Sequence, residues 1–178
     1  DMLAISRNAL IKGQIYRLIT AMFVHRDIKH IFFNCFSLYI FGRETENKVG
    51  ELCKRHGASR VMIVYGGGSV VRSGLLKKVE ASLAEQGIAF CQLPGVQPNP
   101  VDTKVYEGLE LAKHFHPDFL LPVGGGSTID TAKAIAVGHY YEGDFWDFYI
   151  GKAKPTRALP VGVVLTIPAA GSEGSGNT

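Results

Sequence analysis

The chain has 178 residues, of which 46% are hydrophobic and 20% charged, and its formal net charge at pH 7 is +3. This length suits one compact core and is short for two complete domains. Residues 1–43 carry six Lys or Arg against two Asp or Glu, whereas residues 44–178 carry 13 against 14. Because charges are mixed in the second part, and its aromatic residues do not alternate with basic ones, we expect no nucleic-acid partner. Three widely spaced cysteines without a C-x-x-C pair argue against disulfides and indicate a reducing, cytoplasmic location.

The first 43 residues differ from the rest in being apolar and aromatic, with scattered His and Arg. We treat residues 1–43 as a separate, apolar helical segment. Its longest apolar stretch, Ile28 to Phe41, is shorter than the roughly 20 residues that a membrane-spanning helix needs. The segment is therefore expected to contact a membrane surface or to pack on the remainder of the chain, and to span no bilayer by itself.

Residues 13–42 resemble a piece of the rhomboid family of intramembrane serine proteases. The residues that carry the resemblance are Arg17 and the spaced trio His25, His30 and Asn34. In that family the second His and the Asn help to stabilise the oxyanion. The Gly-x-Ser-Gly nucleophile motif of the family is missing here. The competing interpretation is therefore that His25 and His30 are two half-exposed histidines on one side of a helix.

From Glu44 onward the pattern changes to alternating helices and strands. We predict helices over residues 46–56, 74–86, 102–114 and 127–139, and strands over residues 61–65, 88–93, 119–123 and 158–167. Such alternation is typical of a parallel sheet covered by helices, so the predicted fold is α/β, a Rossmann-like parallel sheet with flanking helices. We predict that Asp102 caps the start of the helix over residues 102–114. An aromatic cluster within residues 141–149 is expected to cover the sheet edge, with a substrate role as the alternative.

Two predicted strands run into the same tetrapeptide, Gly-Gly-Gly-Ser. We name Gly66–Ser69 the first glycine turn and Gly124–Ser127 the second glycine turn. Glycine allows a sharp turn and a close approach of the backbone to a ligand. Ser127 stands where the N-cap of the following helix belongs, and Asp130 three residues later resembles a capping box. Because a helix start favours anions, the pattern predicts a phosphate cradle; a tight connection without a ligand is the alternative.

Four stretches in this order resemble the iron-containing alcohol dehydrogenase family, in its branch of NADPH-dependent butanol dehydrogenases and aldehyde reductases. They are Tyr65–Ser69, Pro98–Pro100, Val123–Asp130 with Lys133, and Leu165–Gly176. The resemblance runs from about Tyr39 to Thr178. It implies that residues 44–178 are an α/β cofactor-binding domain for hydride transfer between an alcohol and an aldehyde. A second copy of the chain, in a homodimer, is a further expected partner.

The same resemblance implies roles for individual residues. Those expected to bind the cofactor are Gly67, Gly68 and Ser69 around the adenosine ribose and its phosphate, Gly125, Gly126 and Ser127 at the pyrophosphate, Asp130 in support of that turn, and Thr166 beside the nicotinamide. An acidic residue after the first strand would accept the ribose hydroxyls and repel a 2′-phosphate. This chain has Gly and Ser there with Arg72 nearby, so we expect NADP(H) in preference to NAD(H).

The family's iron or zinc is held by an Asp and three His that the resemblance places beyond Thr178. We therefore assign no metal ligand or catalytic residue, and expect nucleotide binding with little or no dehydrogenase activity. The two resemblances meet at Ile40–Arg43, which suggests a chimera. The alternative function is a membrane-associated rhomboid-like remnant without catalytic activity.

Overall fold

A computed structural model describes residues 45–99 and 101–166 together with Ser172. The predicted apolar segment 1–43 and its rhomboid-like pattern lie outside these residues. Within the described part, no helix combines the length and the apolar character that crossing a membrane requires.

The described chain alternates between helices and strands, as predicted. After a 3-10 turn at Thr45–Lys48, the elements in chain order are α1 (Val49–Arg55), β1 (Arg60–Tyr65), α2 (Gly68–Arg72), α3 (Leu75–Glu85), β2 (Ala89–Leu93), α4 (Asp102–Phe115), β3 (Phe119–Gly124), α5 (Gly126–Gly138), a 3-10 turn (Phe145–Phe148) and β4 (Val164–Leu165). Gly57 follows α1 with a φ of 82°, which is the left-handed conformation that ends helices and that glycine adopts without strain.

All strand pairs are parallel, and the order across the sheet is β2-β1-β3-β4. Strand β1 lies at the centre with β2 on one side and β3 on the other. Val61 is paired with Phe90 of β2 and with Phe119 of β3. This arrangement confirms the predicted α/β class with a parallel sheet.

Helices cover both faces of the sheet, which explains why β1 and β3 are apolar along almost their whole length. Alternate residues of β1 face opposite layers: Ile63 packs with α1 and α3, and Met62 packs with α4 and α5. Both side chains are completely buried. The sheet is therefore the central layer of three, and its carboxyl edge is the part left open to a ligand.

The last strand is much shorter than the predicted span of residues 158–167. Only Val164–Leu165 pairs regularly with β3, apart from an isolated bridge between Leu120 and Val161. Pro122 lies in β3 between these two contacts. The backbones of Leu120 and Gly124 form hydrogen bonds on the side of β4. Pro122 lies two residues from each, so its backbone also faces β4, but it has no N–H to donate. The pairing is interrupted there.

The aromatic cluster packs against helices, so the prediction that it covers the sheet edge is wrong. Phe145 is 2% exposed and contacts the ring of Tyr106 on α4 edge to face, with 4.8 Å between ring centroids. Phe145 also lies against Gly138 at the end of α5. The prediction that Asp102 caps α4 is also wrong, because the N-cap is Val101 and Asp102 is the first helical residue.

Candidate functional site

The two glycine turns follow β1 and β3, which are neighbours in the sheet. Tyr65, the last residue of β1, is paired with Val123 directly before the second glycine turn. The chain leaves β1 toward β2 on one side, and the later strands β3 and β4 lie on the other side. The order of the strands thus reverses between β1 and β3. In open α/β sheets, ligands bind outside the carboxyl ends of the strands at such a switch point.

Thr128, in the first turn of α5, lies between the two glycine turns. A methyl group on Gly124 would stand 2.6 Å from the Thr128 hydroxyl oxygen, and one on Gly66 would stand 4.0 Å from it. A methyl group on Gly66 would also lie 3.1 Å from the carbonyl oxygen of Val96. The first glycine of each turn is therefore explained by packing within the protein.

The second glycine of each turn has no such explanation. A methyl group on Gly67 or Gly125 would meet nothing within 4 Å among the described residues. Their φ angles of −77° and −99° are negative and lie outside the left-handed region that favours glycine. The described glycines with equally open surroundings at Gly57, Gly74, Gly87 and Gly151 all have positive φ. Gly67 and Gly125 thus keep an open space at the switch point that neither packing nor backbone strain requires.

The helix after the second glycine turn begins one residue earlier than predicted. Its N-cap is Gly125, because the amides of Thr128 and Ile129 both donate to the Gly125 carbonyl, at 3.1 and 3.2 Å. The predicted N-cap role of Ser127 and its capping box with Asp130 are therefore wrong. Because glycine has no side chain to cap the first amides, the positive end of this 13-residue helix faces the open space beside Gly125.

Asp130 and Lys133 lie one turn apart on α5 and both interact with Ser172. The Lys133 ammonium donates to the Ser172 carbonyl, and the Ser172 hydroxyl lies 3.3 Å from an Asp130 carboxylate oxygen. Burial raises the pKa of the Asp130 carboxyl, and the charge of Lys133 and the bond from Ser172 oppose that rise. Lys133 is only 3% exposed. These contacts hold Ser172, within the stretch Leu165–Gly176, against α5. The supporting role of Asp130 at the second glycine turn stays a prediction.

Thr166 follows β4 and lies at the same edge of the sheet. Its amide donates to the Gly124 carbonyl at 3.1 Å, and its side chain is exposed. The predicted residues of the first glycine turn, Gly67, Gly68 and Ser69, are the N-cap and the first two residues of α2, directly after β1. All eight predicted cofactor residues therefore lie beyond the carboxyl ends of three adjacent strands, β1, β3 and β4.

A profile of the family described as "Iron-containing alcohol dehydrogenase" matches residues 37–178. The chain belongs to this family. The start of the match agrees with the resemblance inferred from about Tyr39 onward. The family match gives no support to the rhomboid-like interpretation of residues 13–42 or to a chimera, and both stay predictions.

Individual dehydrogenases are similar over the same region. NADH-dependent butanol dehydrogenase A of Clostridium acetobutylicum is 47% identical over 133 residues, which are 75% of this chain and 34% of that protein. An NADPH-dependent aldehyde reductase of Escherichia coli strain K12 is 38% identical over 118 residues, 65% of this chain and 30% of that protein. The crystal structure of NADH-dependent butanol dehydrogenase A from Thermotoga maritima superposes with a TM-score of 0.73 at 47% identity, covering 76% of this chain and 34% of that one. The chain thus spans about a third of the length of these dehydrogenases.

The described residues of this iron-containing alcohol dehydrogenase chain fit a dinucleotide better than a metal. The open space beside Gly67 and Gly125 would admit a phosphate where any side chain would block it. Within residues 45–99, 101–166 and 172, no three His, Cys, Asp or Glu side chains are grouped so that they could hold a metal ion. We therefore assign no ligand of the family's iron among these residues.

Two features of the site were missed by the sequence predictions. One is Thr128, whose side chain separates the two turns and gave no signal beyond a polar residue after the glycines. The other is the loop after β2, where the amide of Val96 donates to the Tyr65 carbonyl at 3.1 Å and that of Gly95 to the Gly66 carbonyl at 3.4 Å. These two bonds hold the first glycine turn in place. The only sign of this loop in the sequence was its proline-rich composition.

Proposed function

We propose that this chain binds a nicotinamide dinucleotide across the two glycine turns, as the cofactor-binding part of a dehydrogenase that transfers hydride between an alcohol and an aldehyde. The observation that carries the proposal is the open space at Gly67 and Gly125, which lies at the switch point of the sheet. The pyrophosphate would accept from the first amides of α5, and the adenosine ribose would lie at Gly67, Gly68 and Ser69. When bound, the nicotinamide ring supplies or accepts the hydride.

The chain's own residues have separate tasks in this proposal. Gly125, Gly126 and Ser127 hold the pyrophosphate, while Asp130 and Lys133 keep the adjoining stretch around Ser172 in place. The family resemblance assigns Thr166 to the nicotinamide end, and its bond to Gly124 keeps it beside the second glycine turn. The alcohol or aldehyde substrate, the homodimer and the cytoplasmic location are further predictions for the whole protein.

The finer proposal concerns the choice of nucleotide. No acidic residue follows β1, where the sequence continues Gly66-Gly-Gly-Ser69, so nothing in the first glycine turn would repel a 2′-phosphate. This supports NADP(H). The names of the relatives differ, since the enzyme from Clostridium acetobutylicum is called NADH-dependent and the reductase from Escherichia coli NADPH-dependent. Direct comparison of the two nucleotides decides the question.

Calorimetric titration of the 178-residue chain with NADPH and with NADH tests the proposal. We expect binding of at least one nucleotide, and we expect Gly125→Ala to weaken it about tenfold or more, because the methyl group would occupy the phosphate position. The melting temperature of Gly125→Ala should stay close to that of the original chain, since the methyl group meets no neighbour.

Glu85→Ala is the matched control, because Glu85 is an exposed residue at the end of α3. This variant should bind as the original chain does. A folded chain that binds neither nucleotide, or a Gly125→Ala variant with unchanged affinity, would refute the proposed function.

A further inference from the structure

We propose that Arg72 recognises the 2′-phosphate of NADP(H), and that Gly68 is a glycine because the Arg72 guanidinium occupies the space of a side chain there. This inference rests on the proposed dinucleotide binding and assigns one contact within it. It gives the third glycine of the first turn a different task from that of Gly67.

The geometry of the first glycine turn carries the inference. A methyl group on Gly68 would stand 1.9 Å from Nη1 of Arg72 and 2.9 Å from its Cζ. Gly68 and Arg72 are the first and last residues of α2, four positions apart, so both face the same side of the helix. The guanidinium therefore lies directly on the backbone of the turn. Any side chain at Gly68 would displace it.

The charge of Arg72 is available for a ligand. Its side chain is exposed, and in the part of the chain that the structure describes no carboxylate forms an ion pair with it. Among the described residues, no hydrogen bond from its guanidinium is present either. Arginine binds phosphate with two parallel N–H bonds, which a lysine or a glutamine cannot reproduce.

The place of Arg72 in the fold matches one part of the dinucleotide. The pyrophosphate is proposed at the second glycine turn, on the strand next to the first, and neighbouring strands are about 4.8 Å apart. An adenosine ribose attached to that pyrophosphate would reach the first glycine turn, where the Arg72 guanidinium lies. The 2′-substituent is the only part of NADP(H) that NAD(H) lacks, so a contact to it changes the affinity for one nucleotide alone.

Titrations of the full chain and of Arg72→Gln with NADPH, NADH and adenosine 2′,5′-bisphosphate test the assignment. We expect Arg72→Gln to weaken NADPH and the bisphosphate about tenfold, which is the usual effect of losing a charge-assisted hydrogen bond, and to change NADH less than about twofold. Arg72→Lys should recover part of the loss, because it keeps the charge but not the fork of donors. The NADPH effect should shrink as salt is raised.

Gly68→Ala is the second test, because it moves the guanidinium without removing it. The clashing atoms are the far end of a flexible side chain, so the fold should survive while the preference for NADPH over NADH falls. Arg55→Gln is the control: it removes the same charge from an exposed ion pair with Glu51 and should alter neither affinity.

The outcomes separate this inference from the proposed function. Equal weakening of NADPH and NADH in Arg72→Gln, or no change in either, overturns the role of Arg72 while nucleotide binding stands. If the original chain binds neither nucleotide, both the proposed function and the role of Arg72 are refuted.

Discussion

The two glycine turns have the same sequence, Gly-Gly-Gly-Ser, but the protein uses them differently. The second precedes a helix of 13 residues, whose dipole and first amides suit an anion, while the first precedes a helix of only five. In the helix after the second turn, Lys133 holds Ser172, whereas the first turn is itself bonded to the loop after β2. A repeated motif therefore has no fixed role; the element that follows it and the neighbours that hold it decide what it can bind.

The largest effect is expected from removing the buried bond between Lys133, in the helix after the second glycine turn, and Ser172. Lys133→Met keeps the length of the side chain but removes the buried charge and its bond to the Ser172 carbonyl. We expect a loss of about 3 kcal/mol in the free energy of unfolding, because Asp130 and the carbonyl lose a buried partner. Urea unfolding followed by circular dichroism measures it.

The same substitution at an exposed position is the control for Lys133→Met. Lys113 pairs with Glu110 on the surface of α4, and both side chains are more than 60% exposed. Lys113→Met should change the unfolding free energy by less than about 0.5 kcal/mol. Similar losses at Lys133 and Lys113 would show that the buried bond to Ser172 does not stabilise the fold.

A second pair of variants compares the first glycine of each turn. Gly124→Ala places a methyl group 2.6 Å from the Thr128 hydroxyl oxygen, whereas the nearest atom to a methyl group on Gly66 is 3.1 Å away. We expect Gly124→Ala to cost about 2 kcal/mol and Gly66→Ala to cost less, because overpacking is felt more where the overlap is larger. Thermal unfolding gives both values.

A double variant shows whether the Gly124→Ala cost comes from the contact with Thr128. Adding Thr128→Ala removes the hydroxyl and should recover part of the loss beyond the effect of Thr128→Ala alone. Strictly additive effects would point to another cause, such as a change in the start of α5.

The smallest expected effect concerns the residue directly before the first glycine turn. The Tyr65 hydroxyl donates to Oε1 of Gln92 at 2.7 Å, so Tyr65→Phe should cost about 1 kcal/mol. Burial, and secondarily the charge of Glu80, raises the pKa of Tyr65 above its ordinary value of 10.0. The stabilisation is therefore complete below pH 10 and is lost as the pH rises through the raised pKa.

Urea unfolding at pH 8 and above pH 10 checks this pH dependence. The stability advantage of the original chain over Tyr65→Phe should narrow at the higher pH. A constant difference would mean that the hydroxyl of Tyr65 does not titrate with a raised pKa in the folded protein.

Most of the fold could be predicted from the sequence because the strands and helices have clear patterns. The apolar runs of β1 and β3 show strands buried on both faces, and Gly57 marks a helix end. The short helix α2 could not be predicted, since its five residues begin at the third glycine of the turn and carry no periodic signal. The interruption before β4 was also missed, because Pro122 reads as part of an apolar run until its neighbour in the sheet is known.

The residues of the candidate site could be predicted from the sequence, but the packing around its glycines and the exact start of α5 could not. The glycines stand out in the sequence, yet only the structure separates those that packing requires, such as Gly124, from those with open surroundings, such as Gly125. The start of α5 was misplaced because Ser127 is a favoured capping residue, whereas the Gly125 carbonyl accepts the first bonds of the helix. Tertiary contacts, which no local pattern shows, decided the first point, and local hydrogen bonds of the helix decided the second.

Pro122 has a further consequence, for how the sheet opens. The ladder between β1 and β3 is continuous over five residue pairs, while the bonding from β3 toward β4 is interrupted at the proline. Amide hydrogens of residues 161–166 should therefore exchange with deuterium sooner than those of β1, because this strand can detach without global unfolding. Thr166 directly follows that less protected strand, so the proposed nicotinamide side of the site would open more readily than the proposed phosphate side at the second glycine turn.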